Sequence, residues 1–415
     1  MKKKGLSALF QPVELTQGEC WKTILAFSFP IIVSYLLQQV YTISDAAIVG
    51  QTLTAQEVAG VNDTSSLIFI FLQFAFGVSA GFCVVTSCNV GAHNPAGVRR
   101  SLTTQIVLSA ALTVILTVLA LLLLDPMLAW INVTPDNGEV YRAAYTYCAI
   151  IFAGIGAQLF YNFICSFLRS MGDSATPLAF LLFSTILNVG LDLLFILSFH
   201  WGVAGVAIAT AIAYTVSATT LFVHLLKTDS VVRVTPRDLG LDPVALKRIV
   251  KIGLPAGIQS AVFAVANIII QSAINSLGTE VMAASSAAMS LEYVCYNLLN
   301  SFSQACTTFV GQNHGARQID RCTKTLKVCL IEGGIVALTT IVIIVGLGRE
   351  ILALFNSDPN IVSIGYIRVC SIFPAYAFSM FYENMSGYLR GFGISLMPAL
   401  ITMICVCGIR FYWVF

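Results

Sequence analysis

Long apolar runs recur along this chain, parted by short polar connections. Eleven are long enough to cross a bilayer, at residues 24–49, 58–84, 102–124, 140–167, 175–199, 203–226, 249–277, 281–309, 326–347, 361–389 and 396–415. A helix rises 1.5 Å per residue, so ~20 apolar residues traverse a hydrocarbon core of ~30 Å. Lipid offers the backbone no hydrogen-bond partner. Each run is therefore predicted to be a helix that satisfies its own peptide groups, and the expected fold class is all-α and polytopic.

Composition turns this pattern into a class. Hydrophobic residues make up 57% of the chain and charged residues 10%, against about 45–50% and about 25% in a soluble domain. So little charge cannot cover a surface in water, and the lipid bilayer is the expected solvent. The net charge of +2 gives no electrostatic case for nucleic acid. The twelve cysteines follow no metal or disulfide spacing. Most lie inside apolar runs, where a thiol acts as a small hydrophobe. The apolar stretch 6–10 behind Lys2, Lys3 and Lys4 is too short for a cleavable signal.

The basic residues carry information by position. With a cytoplasmic N-terminus, all of the 22 except Arg142, Arg349, Arg368 and Arg410 map to cytoplasmic connections or their edges, Arg169 and Arg390 included. The positive-inside rule then orients the chain. The N-terminus is expected on the cytoplasmic side of the membrane.

The chain repeats itself. Residues 168–177 line up with 389–398 at an offset of 221, and Phe29-Pro30 with Leu254-Pro255 at 225. Val90-Gly91 lines up with Val310-Gly311 at 220, and Pro135 with Pro359 at 224. Each pair falls on one membrane side, which predicts two pseudo-symmetric six-helix lobes in a parallel repeat with a cavity between them. The expected organisation is a lobe at 1–226, a cytoplasmic linker at 227–248 and a second lobe at 249–415. On that scheme a twelfth helix is missing from the sequence given.

Polar residues inside the spans supply the candidate chemistry. An ionisable side chain at the centre of a spanning helix costs roughly 2.5–3.5 kcal/mol, so it tends to face a cavity or a partner. The candidates are Asp45, Asp63, Asp192, Glu292, Glu332 and Glu383. Asp45 lies near the outer end of the first span, Asp192 near that of the fifth, and Thr210 at a similar depth in the sixth. Asn188 sits one turn below Asp192 on the same face, and Ser184 one turn further. Two carboxylates, an amide oxygen and a hydroxyl at one depth make an oxygen cage suited to Na⁺ or a shared proton, because close carboxylates in low dielectric resist joint ionisation. The alternative is a set of interhelical hydrogen bonds that only holds the bundle together.

The remaining residues are read more plainly. Glu332 and Glu383 fall near inner helix ends, within reach of headgroups. Glu292 lies deeper, as a cavity residue or a structural partner, and Asp63 is interfacial. Pro30, Pro255 and Pro374 lie inside spans and are candidate bending points. His93 and His314 are expected in cytoplasmic loops. Tyr35, Phe152, Tyr161 and Tyr376, chosen by mid-helix position, are candidates for a substrate cavity, together with Glu292 and Glu383.

Several short motifs now stand in a fixed order. They are Ser44-Asp45, Val49-Gly50, Val90-Gly91-Ala92, Leu168-Arg169 with Gly172-Asp173, and Asn188-Val189-Gly190-Leu191-Asp192. Val310-Gly311-Gln312 with Gly315-Ala316, and Leu389-Arg390-Gly391 with Gly393, follow in the second half. In this order the chain resembles the multidrug and toxic compound extrusion (MATE) transporters over essentially its whole length. The resemblance implies twelve helices in two lobes and an antiporter that exports small amphipathic or cationic organic compounds for Na⁺ or H⁺. It implies that Asp45, Asn188, Asp192 and Thr210 match a cation site in the N-terminal lobe, which would be the seat of Na⁺ if Na⁺ is the coupling ion. Some relatives carry a second acidic site in the other lobe. The matching positions here are Ala264 and Met380, a departure, although Tyr376 one turn earlier fits.

No cofactor beyond the coupling ion is expected, and the protein is expected to act as a monomer. It has no GxxxxGK[ST] loop to cradle ATP phosphates. A lipid-linked oligosaccharide flippase, the nearest rival, is expected to line its cavity with basic residues, whereas those here map to connections. An integral membrane enzyme would need paired Asp-rich repeats or HExxH, and the sequence contains neither.

Overall fold

The computed structural model describes residues 13–228, 240–355 and 358–414. Among them every regular element is helical. The first half comprises α1 (Cys20–Thr52), α2 (Ala55–Gly91), α3 (Pro95–Leu122), the short α4 (Leu124–Trp130), α5 (Glu139–Ser170), α6 (Ala175–Leu193) and α7 (Gly202–Thr228). The second half comprises α8 (Pro243–Asn275), α9 (Thr279–Gly315), α10 (Ile319–Gly346), the short α11 (Gly348–Ala353), α12 (Pro359–Ile372), α13 (Tyr376–Gly391), α14 (Leu396–Ile401) and α15 (Ile409–Val414).

Local chemistry starts and stops these helices. Thr54 and Glu57 form a capping box at the head of α2, which satisfies two donors that a first turn otherwise leaves bare. Asn94, Asp242 and Asp358 cap α3, α8 and α12, each followed by proline at the first helical position, where a missing N–H does no harm. Beyond α5 and α13 the chain turns at Gly172 and Gly393, with φ of 93° and 82°, a conformation open to glycine because it lacks a Cβ.

All eleven predicted spans fall on helices. Nine helices among the described residues are long and apolar enough to cross a membrane. α9, at 37 residues, does not meet that apolar standard, because its polar face is turned inward against α2, α10 and α13. The last run, 396–415, divides into α14, a π-helical segment (Thr402–Gly408) and α15. The run 361–389 breaks at a tight turn, Phe373–Ala375, built on Pro374. Exposed Val114 and Leu122 on α3, and Ile331 and Val342 on α10, form apolar outer faces suited to lipid.

The halves match element by element. α1 and α8 have 33 residues each, α2 and α9 have 37, and α3 and α10 have 28. This register corrects one sequence anchor. Gly91 ends α2 and Gly315 ends α9, so Gly91 is equivalent to Gly315 at an offset of 224, not to Gly311. His93 and Arg317, both with positive φ, then occupy the same turn. His314 lies within the last turn of α9, with its ring against Phe392, not in a loop. The expected linker 227–248 also contracts, since α7 continues to Thr228 and α8 begins at Pro243. Residues 229–239, and Lys2–Lys4, lie outside the described residues.

Close packing joins the halves at one end. A Cβ on Gly81 would stand 2.6 Å from the Gly253 Cα, and one on Gly77 would stand 2.5 Å from the Ala256 carbonyl oxygen. Near the helix ends Gly91 abuts Gln312, Gly315 abuts Cys88, and Gly311 abuts Ser87. The Gln312 amide donates across the halves to the Ser170 carbonyl, 2.7 Å. This is the end that bears Arg99, Arg100, Lys247, Arg317 and Arg321 at the starts of α3, α8 and α10, the basic end of the bundle.

Candidate functional site

α6 presents Ser184, Asn188 and Asp192 on one buried face, as residues four apart on a helix must. α1 brings Asp45 to the same place, and the Asp45 and Asp192 carboxyls lie within hydrogen-bonding reach of each other. The Asn188 amide donates to the Thr210 hydroxyl of α7, 3.4 Å. The structure therefore brings together all four residues singled out in the sequence.

Among the described residues no group donates a hydrogen bond to Asp45 Oδ1, Asn188 Oδ1 or either carboxylate oxygen of Asp192, and all four atoms are buried. Buried oxygens without donors are rare in folded proteins. Two ionised carboxylates in contact also repel unless a positive charge stands between them. This donor set fits a hard monovalent cation, which takes oxygen ligands, or a proton shared by the two acids. The set holds no imidazole or thiolate, the ligands that transition metals favour.

Three tyrosines near this site escaped the sequence reading. Tyr41 lies close to Asp45 and Thr210, Tyr147 to both Asp45 and Asp192, and Tyr214 to Asp45. A signal was present, since Tyr41 precedes Asp45 by four residues and Tyr214 follows Thr210 by four. Directly after Asp192 the helix relaxes into a π-helical turn, Leu194–Ser198, a feature often found at functional sites.

The other candidates do not join this cluster. Asp63 is exposed on α2. Glu292 of α9 pairs with Arg368 of α12, at 2.8 Å with both side chains largely buried. Its charge is thus met by a resident cation. Glu383 is not near headgroups as expected; it points inward and accepts from the Tyr296 hydroxyl, 3.0 Å. Glu332 is likewise turned inward, and both of its oxygens are buried. Ala264 is fully buried, and Met380 packs in the apolar cluster of α9, α10 and α12.

The aromatic guesses separate. Phe152 is fully buried and its ring lies 4.9 Å from that of Phe71, within packed core. Tyr161 is core as well, edge-on to Tyr214 at 5.8 Å. A mid-helix position gives depth but not direction, and these two helix faces turn into their own half. Tyr376 packs against Phe373. Tyr35 alone bridges the halves, where Gln304 of α9 donates to its hydroxyl.

The basic residues need a correction too. Arg169 and Arg390 do not lie in connections. They sit on the last turns of α5 and α13 and line one cavity between the halves, with Cys83, Ser87, Gln304 and Thr307 among its walls. Arg368 and Arg410 also lie within helices, the latter bonded to Asn267, 2.7 Å.

A bilayer-spanning helical bundle of two matched halves, with buried carboxylates and a polar space between the halves, is the build of a membrane transporter and not of an enzyme. The sequence matches the MatE family over residues 30–194 and 255–414, and the chain belongs to that family of multidrug efflux transporters. It is 28% identical to the probable multidrug resistance protein YpnP of Bacillus subtilis (strain 168) over 400 residues, covering 96% of this chain and 88% of that protein. It is 26% identical to the probable multidrug resistance protein NorM of Thermotoga maritima, covering 94% and 84%. Its fold superposes with a TM-score of 0.87 on an outward-facing multidrug resistance MATE family transporter of the MOP superfamily, at 22% identity over 95% of this chain and 87% of that one.

Proposed function

We propose that this protein exports small amphipathic organic compounds across a bacterial cytoplasmic membrane in exchange for Na⁺ or H⁺, with the coupling cation held by Asp45, Asn188, Asp192 and Thr210. One observation carries the reading. Two carboxyls from separate helices meet in a buried site where Asp45 Oδ1, Asn188 Oδ1 and both Asp192 oxygens find no donor among the described residues. A site of that kind binds a cation or proton more tightly than water does only while it stays enclosed, so its affinity changes when the helices around it move.

The exchange works by alternating access. The positive-inside rule puts the basic end in the cytoplasm, and the glycine contacts between α2, α8 and α9 close the bundle there. Cargo then leaves towards the opposite face. Cation arrival between Asp45 and Asp192 draws α1 to α6, and α1 is free to bend at Pro30, where proline removes a backbone hydrogen bond. One charge moved through 100 mV supplies ~2.3 kcal/mol. The names of the relatives in Bacillus subtilis and Thermotoga maritima support the same reading.

Purified protein in proteoliposomes tests it. Efflux of a fluorescent amphipathic cation is followed with a Na⁺ gradient or a pH gradient imposed separately. One gradient drives efflux, and Asp192→Asn abolishes that dependence. Efflux that ignores both gradients, or that survives the substitution intact, overturns the proposal.

A further inference from the structure

Two arginines from equivalent places in the halves share one cavity. Arg169 and Arg390 each follow a leucine on the last turn of their helices. Between them, Ala80 and Cys83 of α2 stand opposite Gln304 and Thr307 of α9. These are the same repeat positions at the offset that relates Gly91 to Gly315. The cavity therefore lies on the axis that relates the two halves. Its volume is about 30 Å³, room for a small ion or one charged group and not for a drug-sized body.

Among the described residues the donors of the two guanidinium groups are only partly met. Arg169 Nη1 donates to Gln304, 3.0 Å, and Arg390 Nη2 reaches Gln259 Oε1 at 3.4 Å. The Nε of each arginine is buried and has no acceptor among the described residues. Neither guanidinium forms a salt bridge among the described residues. Glu383, whose carboxylate also accepts from the Tyr296 hydroxyl, offsets part of the Arg390 charge from a distance. Two half-buried like charges around one small space repel, and a single anionic group between them relieves both. The planar guanidinium is suited to carboxylate and phosphate oxygens, which it holds with paired hydrogen bonds.

We propose that this axial pocket is an anion seat that takes the carboxylate or phosphate of an amphipathic cargo. The cargo part of this proposal rests on the efflux reading above. The seat itself does not.

The test uses full-length protein in nanodiscs and isothermal titration with benzoate, with benzamide as the neutral isostere. Benzoate binds saturably and benzamide does not. Arg169→Gln and Arg390→Gln each weaken benzoate about tenfold or more, the loss of a hydrogen bond to a charged group. Arg169→Lys, which keeps the charge but not the paired hydrogen bonds, recovers only part of the affinity. Equal unfolding temperatures among the variants separate this result from misfolding. Benzoate that fails to bind, or that binds equally to both glutamine variants, overturns the seat. Chloride or inorganic phosphate that binds as tightly, with no transport of an aromatic carboxylate, marks a resident ion and overturns the cargo assignment. Efflux of an amphipathic cation is run in parallel. Cation efflux without benzoate binding sinks the anion seat alone, and benzoate binding without any gradient-driven efflux sinks the efflux reading alone.

Discussion

Gly91 and Gln312 touch backbone to backbone across the two halves, so closely that a methyl on Gly91 would overlap the Gln312 carbonyl. Their repeat equivalents, Gly315 and Cys88, make the reciprocal contact. The axis relating the halves therefore passes between α2 and α9 at the basic end. This pair of contacts closes that end.

Gly91→Ala and Gly315→Ala each place a methyl against backbone that cannot rotate aside. Overpacking of this kind costs typically ~1–3 kcal/mol, against at most ~1 kcal/mol that alanine adds to helix propensity in a helix interior and less at its last residue. Both variants unfold at lower temperature than the parent. Gly190→Ala, with nothing within 4 Å of its Cβ, leaves the unfolding temperature unchanged or raises it. Thermal unfolding in detergent decides this, and equal behaviour of all three variants contradicts the packing described.

Asp45→Asn and Asp192→Asn act on one site and are expected not to add. Each lowers gradient-driven efflux about tenfold or more, and the double variant is no worse than either single one, as for residues that act as a unit. Initial rates in proteoliposomes measure this. Fully additive losses would mean that the two acids work separately.

Arg368→Gln leaves the Glu292 carboxylate buried without its partner. Breaking such a pair from one side typically costs ~3–5 kcal/mol. The double variant Glu292→Gln/Arg368→Gln removes both charges and regains most of that loss. A double-mutant cycle on unfolding temperature checks the coupling, and a full loss persisting in the double variant contradicts it.

Asp242 caps α8 outside the membrane. The Ala245 N–H, then the Val244 N–H and the nearby Arg100 charge, hold its carboxyl below the usual range. A depressed carboxylate contributes stability that is present above the unfolded-state value of about 3.9 and is lost as pH falls through the folded one. Asp242→Ala therefore unfolds at lower temperature than the parent at pH 7, and the gap closes as the pH falls below about 4. A gap that stays constant down to pH 3 would show that the carboxylate charge plays no part.

The run lengths and the scarcity of charge determined by themselves that this is a polytopic helical membrane protein, because lipid leaves a chain of that composition no other fold. The repeat and the depth of Asp45, Asn188, Asp192 and Thr210 were also legible, since depth follows from counting residues at a fixed rise. Direction around each helix was not. Phe152 and Tyr161 have the depth of cavity residues, yet packing turns them into core. Arg169 and Arg390 read as loop charges because they end apolar runs, yet the crossing of α2 with α9 carries them to a shared cavity. The pairing of Glu292 with Arg368 and the equivalence of Gly91 to Gly315 likewise depend on which helix faces meet. Rise along a helix is set by the backbone and is the same for every sequence. Which faces meet is set by side chains of distant segments packing together, and that was decided only in the folded bundle.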